Sequence, residues 1–130
     1  MENLNRKFKP IRLINTNVIS RKGYFFGKIA RADTHFRDGK QVLKVAFRIV
    51  KGKYRGFSII TVFSDDFKSK VRLSYLCNAV GITGELKNPE QLLGKIVKLR
   101  VVPYYRSRMG KRYLNHKITR FHPVDRRNSG

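Results

Sequence analysis

The chain has 130 residues, with 30 Lys and Arg against 8 Asp and Glu, for a formal net charge of +22. That length fits one compact domain around one core and leaves no room for a second of similar size. A wholly disordered chain is excluded by 41% hydrophobic residues at regular spacing, and a disulfide framework within one chain by the single cysteine, Cys77.

Residues 1–22 read as a basic N-terminal arm and lead-in, polar and cationic over 1–9 and then extended, with Ile11, Leu13 and Val18 as sparse apolar positions. The pattern then turns to strands. The aromatic and aliphatic run 24–36 ends at Arg37-Asp38-Gly39-Lys40, and Asp-Gly between two apolar runs signals a two-residue hairpin, because glycine accepts positive φ. Over 41–51, Leu43, Val45, Phe47 and Ile49 alternate with Lys44, Ala46 and Arg48, the period-2 signature of a half-buried strand. Gly52-Lys53-Tyr54-Arg55-Gly56 makes a second turn into a third strand at 57–63. There Phe57, Ile59 and Phe63 compete with Ile60 and Val62 for the inward face, both sets being apolar.

One helix follows. Ser64, Asp65 and Asp66 offer an N-cap and negative charge at the positive end of the dipole, Leu73, Leu76, Cys77 and Val80 form one apolar stripe, and Gly81 sits at the C-terminal cap. Asn88-Pro89-Glu90 starts a single further turn that Gly94 ends. Two strands complete the domain. Over 95–105, Val97, Leu99 and Val101 oppose Lys98 and Arg100, and 112–121 follows a turn at Met109-Gly110. The stretch 123–130 reads as a basic C-terminal tail.

The expected fold is therefore mainly β, a five-stranded OB-like Greek-key barrel over 23–122 with one helix between strands 3 and 4. Closure would remove the exposed edges that short strands otherwise present. A half-open sheet covered by the helix is the alternative.

A cationic excess this large repels itself in the folded state, and a polyanion relieves the repulsion. With an isoelectric point near 10.9, the expected partner is nucleic acid. No basic amphipathic helix points to a membrane surface. No apolar run reaches the roughly 20 residues of a transmembrane helix, and 1–7 lack the apolar centre of a secretion signal. A soluble protein of the cytoplasm is expected.

Catalysis is not expected, and neither is a cofactor or a metal. A nuclease of the metal-dependent kind needs several convergent carboxylates. Here Asp38 belongs to a turn, Asp65, Asp66 and Glu90 to helix starts, and Asp33 stands alone in a strand. His35, His116 and His122 have no partner at metal-ligand spacing and read as surface or phosphate contacts, and Cys77 lies on the apolar stripe.

The binding constellation is richer. Tyr104-Tyr105-Arg106-Ser107-Arg108-Met109-Gly110-Lys111-Arg112-Tyr113 interleaves three tyrosines with four cations at a hairpin. Cations follow phosphates while aromatic faces stack unpaired bases. In a five-stranded barrel this is one of the two loops that grip oligonucleotides, and the other is the first hairpin, around Arg37 and Lys40. Lys44 and Arg48 extend the surface along the second strand, and Lys53, Tyr54 and Arg55 along the next turn, where Tyr54 either joins the surface or tucks into the core.

From Gly23 to Val124 the sequence resembles the phage and mobile-element family of small single-stranded-DNA-binding proteins. Three places match in order: Gly23-Tyr24 at the first strand; Gly52-Lys53-Tyr54-Arg55-Gly56, like the family's Gly-x-Tyr-Lys-Gly turn; and Leu73-Ser74-Tyr75-Leu76-Cys77-Asn78-Ala79-Val80-Gly81-Ile82 followed by Leu92-Leu93-Gly94-Lys95-Ile96-Val97, like its helix and its Leu-x-Gly-Lys-x-Val strand start. The resemblance implies an oligonucleotide-binding barrel without a cofactor, coating single-stranded DNA during DNA replication or DNA recombination of a phage or mobile genetic element in a bacterial host, with replication or recombination proteins as further partners. Two departures stand out. The end, Asp125-Arg126-Arg127-Asn128-Ser129-Gly130, is not the acidic tail that recruits partners, and the chain is more basic than expected for the family. They keep structured RNA and duplex DNA as alternative ligands, beside an interaction protein that docks on an acidic host protein. Oligomeric state stays open, because a barrel edge or the apolar lead-in offers a surface to a second chain.

Overall fold

The computed structural model describes residues 8–11 and 18–124. Most of the expected N-terminal arm, Leu13 of the lead-in and the tail from Asp125 lie outside the described residues.

Five strands form one antiparallel sheet: β1 (Gly23–Arg37), β2 (Lys40–Ile49), β3 (Ser58–Phe63), β4 (Ile96–Arg108) and β5 (Lys111–His122). Helix α1 (Phe67–Ala79) and a 3-10 turn (Pro89–Leu92) lie between β3 and β4. The spatial order is β3-β2-β1-β4-β5, so β1 pairs along one edge with β2 and along the other with β4. Among the described residues β3 and β5 share no ladder, and the sheet is not closed. They do approach: Phe63 and Phe121 have ring centroids 6.2 Å apart.

Local chemistry explains the joints. Asp38-Gly39 and Met109-Gly110 all take positive φ, the geometry of two-residue I′ hairpin turns that suits the right-handed twist of the flanking strands. Asp66 caps α1, accepting from the Ser69 N–H at 2.7 Å. The helix ends in a Schellman motif: the Ile82 and Gly81 N–H groups donate to the Cys77 and Asn78 carbonyls at 2.8 and 3.2 Å, with Gly81 at φ +86°. Asn88 caps the 3-10 turn reciprocally with Gln91, and Pro89 opens it.

Two bulges set which side chains share a face. Ala30 is the extra residue of β1 opposite β2, and Thr119 that of β5 opposite β4. A bulge bends its strand and reverses the alternation beyond it. The core lies under one face, where Ile29, Val45, Phe47, Ile59, Phe63, Val97, Leu99, Val101 and Ile118 meet Leu76 and Cys77 of α1 and Leu92 of the 3-10 turn. In β3 the inward set is Ile59, Thr61 and Phe63, while Ile60 and Val62 are exposed. Ile19, within the lead-in, is fully buried in the same core.

No helix among the described residues is long and apolar enough to cross a membrane.

Candidate functional site

Strand alternation sorts the cations and rings onto faces. The residues of β4 opposite the buried Val97, Leu99 and Val101 are Lys98, Arg100, Val102, Tyr104, Arg106 and Arg108. Pairing with β5 puts His122, Arg120, Lys117, Asn115, Tyr113 and Lys111 beside them. Five of those six β4 residues and five of the β5 partners are charged or aromatic. The row continues on β1, whose Tyr24 pairs with Arg100, Phe26 with Lys98 and Lys28 with Ile96. On the far side of β1 come Arg48 and Lys44 of β2 and then the exposed Ile60 and Val62 of β3.

Cations and rings are in contact along this face. The Lys98 Nζ lies 5.1 Å from the Tyr24 centroid, and His122 tilts against the same ring at 5.8 Å. The Lys117 Nζ lies 5.7 Å from the Tyr104 ring, and the Lys51 Nζ 5.1 Å from Phe26. Such cation–π contacts hold a positive charge over a ring while leaving it solvated. Near the second hairpin, Arg106, Arg108, Met109, Tyr113 and Asn115 line a groove of about 420 Å³.

The hairpin constellation is divided. Tyr104, Arg106, Arg108, Lys111 and Tyr113 share the face just described, whereas Tyr105 and Arg112 occupy the other, with the Arg112 guanidinium 4.5 Å from the Tyr105 ring. Consecutive residues of a strand point to opposite sides, so Tyr104 and Tyr105 cannot serve one track. Lys44 and Arg48 point outward and are exposed, as the alternation requires, and Lys40, Lys53 and Arg55 are exposed in or beside turns. Tyr54 tucks in: it packs against the core and meets the Phe25 ring edge-on at 5.7 Å.

His116, paired with Pro103, lies on the side of β5 away from this face. Its Nε2 lies 2.7 Å from the Ile19 carbonyl, which can only accept, so Nε2 carries the proton and ties the lead-in to β5. Its ring also meets Phe57 edge-on at 4.8 Å. Cys77 is buried, and desolvation pushes its thiol above the usual range, the opposite of an activated nucleophile. Among the described residues no group of three or more His, Cys, Asp and Glu is placed to hold a metal ion.

Sequence reasoning missed Tyr24, Lys28, Lys98, Arg100, Lys117 and Arg120 as members of the face, whereas His122, read as a surface or phosphate contact, pairs with Lys98 on it. For Lys98 and Arg100 the signal was present, since counting by twos from Lys98 reaches Tyr104, Arg106 and Arg108. Lys117 and Arg120 lie an odd number of residues apart and share a face only because Thr119 bulges out of register.

The arrangement can neutralise a polyanion along several strand widths while offering flat rings between the charges. No protein-family model and no curated protein matches this chain.

Proposed function

We propose that this protein binds single-stranded DNA with little sequence preference and without catalysis, on the outward face of β1, β4 and β5 and its continuation over β2. The observation that carries this reading is the interleaving on that face: Tyr24, Tyr104 and Tyr113 stand among Lys98, Arg100, Arg106, Arg108, Lys111, Lys117 and Arg120. Cations alone would suit any nucleic acid, but the rings stack only on bases that have left a duplex. We further read the sheet as a partly open oligonucleotide-binding barrel cut between β3 and β5. Its strand order and the approach of Phe63 to Phe121 support that assignment. With the family resemblance, we take its role to be in DNA replication or recombination of a phage or mobile element, in the cytoplasm of a bacterial host.

Fluorescence anisotropy with a dT oligomer and a matched duplex, each across a salt series, tests the reading. The dT oligomer should bind more tightly at every salt concentration. If 6–8 phosphates are neutralised, log affinity should fall against log salt with a slope of about −4 to −6. Preference for the duplex would favour shape-and-phosphate recognition instead, and a pull-down of an acidic protein that survives nuclease treatment, with no dT binding, would replace the reading altogether.

The division of the tyrosines gives a second expected outcome. Replacing Tyr104 and Tyr113 together with Leu should cost about 2–6 kcal/mol on dT, at about 1–3 kcal/mol per stacked base, and far less on duplex. Tyr105→Leu, on the opposite face, should cost well under 1 kcal/mol. Equal losses from the pair and from Tyr105 would mean that the strand does not follow this face.

A further inference from the structure

The outward face of β1, β2 and β3 carries one carboxylate. Asp33 lies in a concavity of about 180 Å³ lined by Arg31, Asp33, His35, Lys44, Ala46 and Ile60. The register sets Asp33 beside Lys44, Arg31 beside Ala46, and Ala46 beside Ile60, so the six residues converge from three adjacent strands. The volume is below the several hundred Å³ of a pocket for a whole drug-sized ligand; it suits the edge of one planar ring.

Its parts have distinct chemistry. Ala46 is short and forms a floor, and Ile60, 54% exposed, offers an apolar wall against which a ring can lie. Arg31 and Lys44 bring positive charge for the phosphates on either side. Asp33 is the part that a phosphate track does not need, because it repels the backbone. The Arg31 Nη2 contacts its Oδ2 at 3.4 Å, and among the described residues Oδ1 accepts no hydrogen bond. An acceptor in a cationic concavity calls for a neutral donor.

The nucleobases differ in what they could bring. Unpaired guanine presents two adjacent donors, N1–H and N2–H, that match the two oxygens of a carboxylate. Thymine presents one N–H between two carbonyls, which a carboxylate repels, while cytosine and adenine present one amino group beside a ring-nitrogen acceptor. Proteins that read single strands use these Watson–Crick edges, since they are unoccupied, and a paired donor–acceptor contact of this kind discriminates more than a single one.

We infer that this concavity is a base-reading subsite on the single-strand track, in which Asp33 accepts from the N1–H and N2–H of one unpaired guanine while its ring rests on Ile60. The inference rests on the single-strand reading above and adds to it a local preference at one position of an otherwise tolerant track.

The test uses the full chain and three fluorescent oligomers: all-dT, the same oligomer with one central dG, and the same with inosine there, which lacks the N2 amino group. The dG oligomer should bind about tenfold more tightly than all-dT, within the range of one good bidentate base contact, with inosine between them. Asp33→Asn should bind all-dT more tightly than the unaltered chain, since a negative charge has left the track, while the gap between dG and dT closes to about twofold or less. Equal affinity of the unaltered chain for all three oligomers would overturn the base-reading role and leave the single-strand function standing. A dG preference that survives Asp33→Asn would overturn the assignment to Asp33. Failure to bind any of the three at low salt would overturn the function and this subsite with it.

Discussion

Gly27→Val should lower the thermal midpoint by about 10 °C or abolish folding, although no charge or hydrogen-bonding group changes. Gly27 is buried in β1, paired with Ile49 of β2 on one side and Val97 of β4 on the other. A Cβ built there would lie 2.5 Å from the Leu99 Cδ1 and 3.6 Å from the Phe47 Cβ. Leu99 and Phe47 are both fully buried, so the neighbour that must yield has nowhere to go. Overpacking a tight core costs about 1–3 kcal/mol, and each kcal/mol is worth about 4 °C in a domain of this size. Circular dichroism during heating measures the shift. The cause can be isolated with Leu99→Ala, which removes the obstructing methyl at the expense of a cavity. Gly27→Ala should be less damaging in that background than alone, by about 1 kcal/mol of coupling. Strict additivity would mean that the two residues do not meet and that β1 does not lie on β4 as described. The consequence reaches the candidate site, because the row that carries Tyr24, Phe26 and Lys28 is continuous with β4 only while β1 can approach it closely.

Much of this architecture was legible from local signals. The Asp38-Gly39 turn, the alternation of β2, the caps of α1 and the Pro89 turn each depend on residues within a few positions of one another, and all are where the sequence places them. The inward set of β3 was not legible, because Ile59 and Phe63 differ from Ile60 and Val62 in which neighbour covers them rather than in polarity. Tyr54 was undecided for the same reason, and Phe25 decides it. Ile19 could not be recognised as core in a sparse segment, since its burial depends on distant elements and its carbonyl on His116, 97 residues away. The candidate site was half legible: composition marks the second hairpin as cationic and aromatic, but treating it as one cluster ignored the alternation that divides Tyr104 from Tyr105. The bulge at Thr119, which no local signal announces, joins Lys117 and Arg120 into the row.

Replacing Arg106, Arg108, Lys111 and Lys117 together with Ala should flatten the salt dependence of dT binding by about 3 in log–log slope. A cation that neutralises one phosphate of a single strand contributes about 0.7 to that slope through counterion release, so four such cations account for about 3 of an expected 4 to 6. The four lie on one face and have no acid to satisfy them: the ion pairs among the described residues are Arg31 with Asp33 and Lys70 with Asp65, both elsewhere. Misfolding is a poor rival explanation for a loss, because removing like charges from a chain at +22 relieves repulsion. Two companion variants separate position from net charge. Exchanging Lys117 for Arg112 in the set changes the same total charge but removes a cation from the opposite face, and should recover about 0.7 of the slope. Removing Lys68, Lys70 and Lys87, on or beyond α1, should weaken binding through the general field while leaving the slope within about 1 of the unaltered chain. If the α1-side set flattened the slope as much as the hairpin set, the phosphates would be spread over the whole surface, and the row of rings would lose its reason for being where the strand runs.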